Sequence, residues 1–249
     1  MADALASGAS PGLRGGGSTP LARTIVTHDT LELMSIPLSW VELPAPQDLK
    51  KVLNTLAITD VIMHSSEKAW LRQYVIVDRG ESPNQVFHYD TGSGDSLFVI
   101  FFEYGCLMKG FDHESEFSPH SRPDFSIWPG IYNEVPPSML TELKDPMYEF
   151  EEVTFCVWWE DLTPGWTIGE ITHPSIDEDG LSYLTGCLYG TAEEYVDWAQ
   201  DYFERDIPRE VVEHLYSGAA PTPDHIVGLN PDRDPHQALT ELSELLLLT

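Results

Sequence analysis

Between residues 23 and 43 apolar and polar positions alternate well enough to predict one or two strands, with Pro37 at an edge or bend. Leu49, Val52, Leu53 and Leu56 then recur at i, i+3, i+4 and i+7, one stripe of an amphipathic helix over 44–58. Strand patterns return at 71–80 and 84–96, the second running into the glycine-rich loop "DTGSGDS". Residues 98–102, "FVIFF", are β-branched or aromatic throughout, as expected of a strand buried on both faces. Tyr104 and Gly105 supply a tight reversal, so 97–103 and 106–111 are expected to form a hairpin. A second hairpin is expected from 153–159 and 165–171 around "DLTPG". Between them the proline-rich stretch "SRPDFSIWPGIYNEVPP" leads to a short helix at 138–143.

The last third switches to helical spacing. Thr191 followed by Glu194 is the signature of a reciprocal capping box opening a helix over 191–206. Asp234, Pro235 and Gln237 open another over 234–248, and "PREVVEHLY" lies between the two. Strands in the first two-thirds followed by helices predict an α+β fold, with a mainly antiparallel sheet built from hairpins and helices concentrated in the C-terminal third. No internal repeat or long linker divides the body. The expected plan is a Gly/Ala/Ser/Pro-rich tail over 1–22 and one domain over 23–249.

Charge alters this picture more than composition does. Of 249 residues 42% are hydrophobic, enough to build a core, yet 41 acids oppose 13 bases for a net charge of −28. Such a chain repels nucleic-acid phosphates and anionic membranes, and neither is expected as a ligand. A basic protein is the expected partner. Cys106, Cys156 and Cys187 lie in apolar runs without metal-like spacing, which predicts a reducing cytoplasm rather than a disulfide scaffold. The tail has no apolar core of a signal peptide, and no apolar run reaches the roughly 20 residues of a membrane span. No cofactor or metal is expected.

The candidate chemistry lies in "KGFDHESEFSPH", residues 109–120, where polar groups crowd behind an apolar strand. Two site readings are open for it. His113 with Glu116 and His120 would make a metal half-site; alternatively Asp112 or Glu114 would orient His113 for acid–base work. The catalytic set under that alternative is Asp112, His113, Glu114 and Glu116. The third reading is structural, with Asp112 and Ser115 accepting from backbone donors where the strand ends and Pro119 blocking its continuation. This structural reading is preferred, because the spacing matches no zinc motif. The loops "DTGSGDS", "DEDG" and "NPDRDP" read as turns, the first lacking the lysine of a phosphate loop and the others the pattern of a calcium loop.

"GFDHESEFSP" with its preceding hairpin, "WPGIYNEVP", "TFCVWWE" and "YVDWAQDYFERD" resemble a set of bacterial proteins with a GFDHES-type signature, over most of residues 95–231. No reaction is established for that set. The resemblance implies a bacterial, soluble, single-domain protein and carries no catalytic roles.

The helix at 191–206 carries a more specific clue. Tyr195, Trp198, Ala199 and Tyr202 form its expected apolar stripe, and Glu193, Asp197, Asp201 and Glu204 recur along one acidic edge. Like charges at i, i+4 cost a few tenths of a kcal/mol each (about 0.2–0.5), and Asp201 and Glu204 lie too far from the helix start to gain from its dipole. Residues 150–249 hold 21 acids and 3 bases, which places −18 of the net charge in the last hundred positions. The expectation is a non-enzymatic inhibitor or immunity-type factor whose Glu193, Asp197, Asp201 and Glu204 meet a basic protein, such as a nuclease toxin. Trp158, Trp159, Trp166 and Trp198 are either aromatic anchors or core. The alternative is a hydrolase working through the 112–120 loop.

Overall fold

A computed structural model describes residues 43–80, 82–171 and 179–245. The tail and the strands expected before residue 43 lie outside the described residues. The first described element is α1 (Pro46–Met63), longer than the sequence stripe foretold, with Pro46 in its first turn and Leu49, Leu53 and Leu56 buried. Among the described residues six strands follow: β1 (Tyr74–Val77), β2 (Gln85–Asp90), β3 (Ser96–Phe102), β4 (Gly105–Phe111), β5 (Phe155–Glu160) and β6 (Thr163–Ile168). They pair antiparallel in sequence order, an uninterrupted meander. The fold is α+β.

Both expected hairpins are present. The first pairs Phe102 with Gly105, and the second turns more tightly than expected, pairing Glu160 with Thr163 around Asp161 and Leu162. The return strand therefore ends at Ile168, short of residue 171. Proline and glycine inside "TPG" do not prevent pairing because β6 is an edge strand with only one neighbour.

Alternation along β3 divides the interior into two apolar layers. Leu97, Val99 and Phe101 join the helices on one side of the sheet, while Phe98 and Ile100 join Phe117, Ile131, Met139 and Tyr148 on the other. The first side is covered by α1 and by α3 (Leu181–Gly186), α4 (Ala192–Phe203), α5 (Arg209–Tyr216), α6 (Pro223–Leu229) and α7 (Pro235–Glu244). The second is covered by the long β4–β5 connection with its short helix α2 (Pro137–Glu142). An antiparallel sheet with one wet face would have shown polar residues at every second position. The unbroken apolar run of β3 reports this double burial.

The capping box at Thr191 forms as expected: Glu194 N–H donates to Thr191 Oγ1 at 3.3 Å, and Thr191 N–H to Glu194 Oε2 at 3.0 Å. The Asp234 carboxylate accepts from His236 and Gln237 N–H at 2.8 and 3.1 Å, opening α7. Helices α3 and α6, both six or seven residues long, were not anticipated. Two turns are too few to display a period, and α6 begins with a proline and contains Gly228. Among the described residues no helix is long and apolar enough to cross a membrane.

Candidate functional site

Two features of the structure meet the sequence expectations: a cluster at one end of the sheet, and the outer face of α4. The cluster arises from hairpin register. Ser96 pairs with Phe111, so the residues just before β3 and just after β4 lie side by side. Asp90 accepts from Gly92 N–H at 2.7 Å and Thr91 N–H bonds to Asp95 O at 3.1 Å, closing the β2–β3 loop so that Asp95 faces β4. The Asp95 Oδ1 then accepts from His113 N–H at 3.0 Å and meets His113 Nδ1 at 2.6 Å. Tyr183 from α3 reaches Asp95 Oδ2 at 3.4 Å.

Asp95 is buried to 4% side-chain exposure while His113 keeps 45%. Burial pushes the Asp95 carboxyl up, but the hydrogen bonds from His113 outweigh it and hold the group below the ordinary carboxylate range. The same hydrogen bond raises His113 above a free imidazole, with Asp95, Glu114 and Asp112 adding attraction for the charged ring. With Asp95 accepting, the proton sits on Nδ1 and Nε2 is left for other partners, a base-like arrangement. Glu114 Oε1 lies 3.9 Å from that Nε2 but is itself mostly exposed.

The raised His113 stabilises the fold below its unfolded pKa and loses that contribution as pH rises through the higher folded value. The depressed Asp95 contributes above its unfolded pKa and loses it as pH falls through the lower folded value. The bond is therefore at full strength between the two unfolded values, roughly pH 4 to 6.5. Titrating the His113 ring by NMR should give a midpoint above about 6.5 in the wild type, and a lower one in Asp95→Asn.

The acid–base reading has Asp112 or Glu114 orienting His113; in the structure Asp95 takes that place. Asp112 instead braces the backbone, its Oδ1 accepting from Glu114 N–H at 3.0 Å, and Ser115 Oγ likewise accepts from Phe117 N–H at 3.0 Å. Gly180 presses against Asp112: with φ +82°, a Cβ there would stand 2.5 Å from the Asp112 Cβ. Glu116 is exposed. His120 does not join His113 in a half-site but pairs with Glu152 at 2.8 Å. Among the described residues, Asp95, Asp112 and His113 bring one donor atom each within 4.8 Å of one another, which makes them the residues able to hold a cation. Asp95 was missed because the loop and the strand end were read separately. Drawing the hairpin register through to residue 96 would have placed it beside 112 and 113.

No other histidine reaches this cluster among the described residues. His88 stacks on Phe98, His64 meets Phe203, and His214 meets His225; His173 lies outside the described residues. Cys106 and Cys156 are fully buried, and burial pushes both thiols far up, so neither is a nucleophile.

On α4 the buried stripe is Tyr195, Val196 and Ala199. Tyr202, expected inside, is 47% exposed. Trp198 is half-buried and stacks between Tyr189 and Tyr202, with ring centres 5.0 and 4.9 Å apart and planes within 24° and 21° of parallel. Of the other tryptophans, Trp158 is core, and Trp159 and Trp166 pack against each other at the β5–β6 pair.

Glu193, Asp197, Asp201 and Glu204 are all exposed. Glu193 lies 3.5 Å from Arg209; among the described residues no lysine or arginine pairs with the other three. Arg205, next in sequence, turns inward, donating to the Leu229 carbonyl and the Met63 sulfur. The acidic edge therefore faces solvent largely uncompensated beside a ladder of stacked rings. Compared with family models, curated protein sequences and solved structures, the chain matches none.

Proposed function

We propose that the chain is a non-enzymatic binding module for a basic protein, an inhibitor or immunity-type factor whose contact face is α4. The observation that carries this reading is the exposed row of Asp197 and Asp201 on α4, continued by Glu204 at its left-handed C-cap, which no described cation offsets. Like charges along one helix edge oppose folding slightly. A cationic partner turns the same row into attraction, raising association rate and specificity. The net charge of −28 extends that attraction beyond the contact itself. The resemblance to GFDHES-type proteins adds a bacterial setting to the proposal, and three cysteines without disulfide spacing add a cytoplasmic one.

The test begins with capture of partners from the native host and their identification by mass spectrometry. Neutralising the row as Asp197→Asn/Asp201→Asn/Glu204→Gln should slow association with the captured partner by about tenfold at low salt and by less at physiological salt. All three side chains are exposed, so circular dichroism should be unchanged. An association rate indifferent to both the substitutions and the salt would remove the proposal.

A hydrolase working through Asp112, His113, Glu114 and Glu116 is the second reading. The Asp95–His113 pair favours it, since a buried carboxylate orienting an outward-facing imidazole is the arrangement a general base requires. It demands a substrate whose turnover stops in His113→Ala.

A further inference from the structure

Resting on the reading of α4 as the face that meets a basic partner, we propose that this face reads arginine: a guanidinium of the partner lies on Tyr202, the exposed end of the Tyr189–Trp198–Tyr202 ladder, and pairs with Asp197 or Asp201. The acid-then-ring step occurs twice, as Asp197-Trp198 and Asp201-Tyr202, four residues apart. Four residues are close to one helical turn, so the two steps repeat along one side of α4. Asp201 also stands three residues from Trp198, a neighbouring position on the helix surface. Carboxylate and ring are thus presented together, and Tyr202 is the most exposed ring of the ladder.

The molecule holds two of its own arginines with the same combination of groups. The Arg79 guanidinium lies 5.4 Å from the Tyr148 ring centre and pairs with Glu142 and Asp145 at 2.9 Å each. Arg122 lies 5.3 Å from the Trp128 ring centre with Asp124 at 3.7 Å. On α4, among the described residues, no arginine or lysine of the chain takes that position over Tyr202.

Arginine suits such a surface better than lysine. Its guanidinium is planar and weakly hydrated, so it can stack on a ring and donate to a carboxylate at once. The lysine ammonium is a compact, strongly hydrated charge whose attraction to an exposed carboxylate is screened by salt. The face should therefore discriminate between two partners of equal charge.

The probes are two helical peptides of identical sequence, one with arginine and one with lysine at two positions four residues apart. Each is titrated into the full-length chain and followed by calorimetry. The arginine peptide is expected to bind about tenfold more tightly at physiological salt. Tyr202→Ala should bring the two peptides to equal affinity, whereas Asp201→Asn should weaken both. Circular dichroism checks that each variant remains folded. Equal affinity of the two peptides for the wild type would overturn the arginine inference and leave the acidic face standing as a general cation surface. Failure of both peptides to bind even at low salt would overturn the inference and the reading beneath it together.

Discussion

Glu241→Ala is expected to lower the unfolding free energy by about 3–5 kcal/mol, the cost of breaking a buried ion pair from one side. The Glu241 carboxylate sits between two arginines, meeting Arg72 Nη2 at 2.8 Å through one oxygen and Arg233 Nη2 through the other. Their side chains are only 7% and 4% exposed, so removal of the carboxylate strands two cations with little water. Those arginines also close the carboxyl end of α1. Arg233 donates to the Val61 carbonyl, Asn230 to those of Ile62 and Met63, and Arg72 to that of His64. A helix end leaves its last four carbonyls without partners inside the helix, and here side chains from two other segments supply donors. Glu241→Gln should cost less than Glu241→Ala, because its amide oxygen still accepts from one arginine. Urea denaturation of the three proteins measures the ranking, and a loss under about 1 kcal/mol in Glu241→Ala would show that water replaces the carboxylate.

Lys109→Met is expected to act in the opposite direction, stabilising the fold by about 2 kcal/mol at neutral pH. Lys109 lies on β4, 1% exposed, with Nζ donating to the Tyr148 carbonyl at 2.7 Å and standing 5.7 Å from the Phe98 ring centre. Burial pushes its pKa down from 10.5 to about 8, against the attraction of Glu149, Glu152 and Glu151 nearby. A shift of that size corresponds to about 3 kcal/mol between the two protonation states, and the lost Tyr148 bond returns about 1 kcal/mol. Between pH 8 and 10.5 the unfolded chain holds more protons than the folded one, so wild-type stability should rise with pH across that window. Methionine cannot titrate and should abolish the rise. Denaturation midpoints measured from pH 7 to 10.5 decide the matter; parallel curves for the two proteins would mean that the lysine reaches solvent.

Local pattern was enough to recognise most elements. The Leu49–Leu56 stripe, the unbroken run of β3 and the Thr191 cap each depend on neighbours within a few residues and form as expected, while the first hairpin turns one residue earlier than expected, at Glu103-Tyr104, with Gly105 already paired in β4. What failed was short or relational. Helices α3 and α6 have too few turns to show a period. Tyr202 was placed in the buried stripe because its spacing from Trp198 allowed it, but the α4 neighbours cover Val196 instead and leave Tyr202 half-exposed. Within the candidate cluster the bracing role assigned to Asp112 forms as expected, whereas His113 meets Asp95, a partner outside the 109–120 stretch.

The α+β class, the hairpins, the helix caps and the acidic edge of α4 were determined by the chain's own order of residues, since period, turn chemistry and charge are properties of adjacent positions. Tertiary structure decided which groups meet. Asp95 reaches His113 across 18 residues because the hairpin register closes between them. Glu241 reaches Arg72 across 169 because α7 returns to the end of α1. No sequence spacing encodes such encounters; they follow from how two faces of one sheet are covered, and covering depends on every element at once.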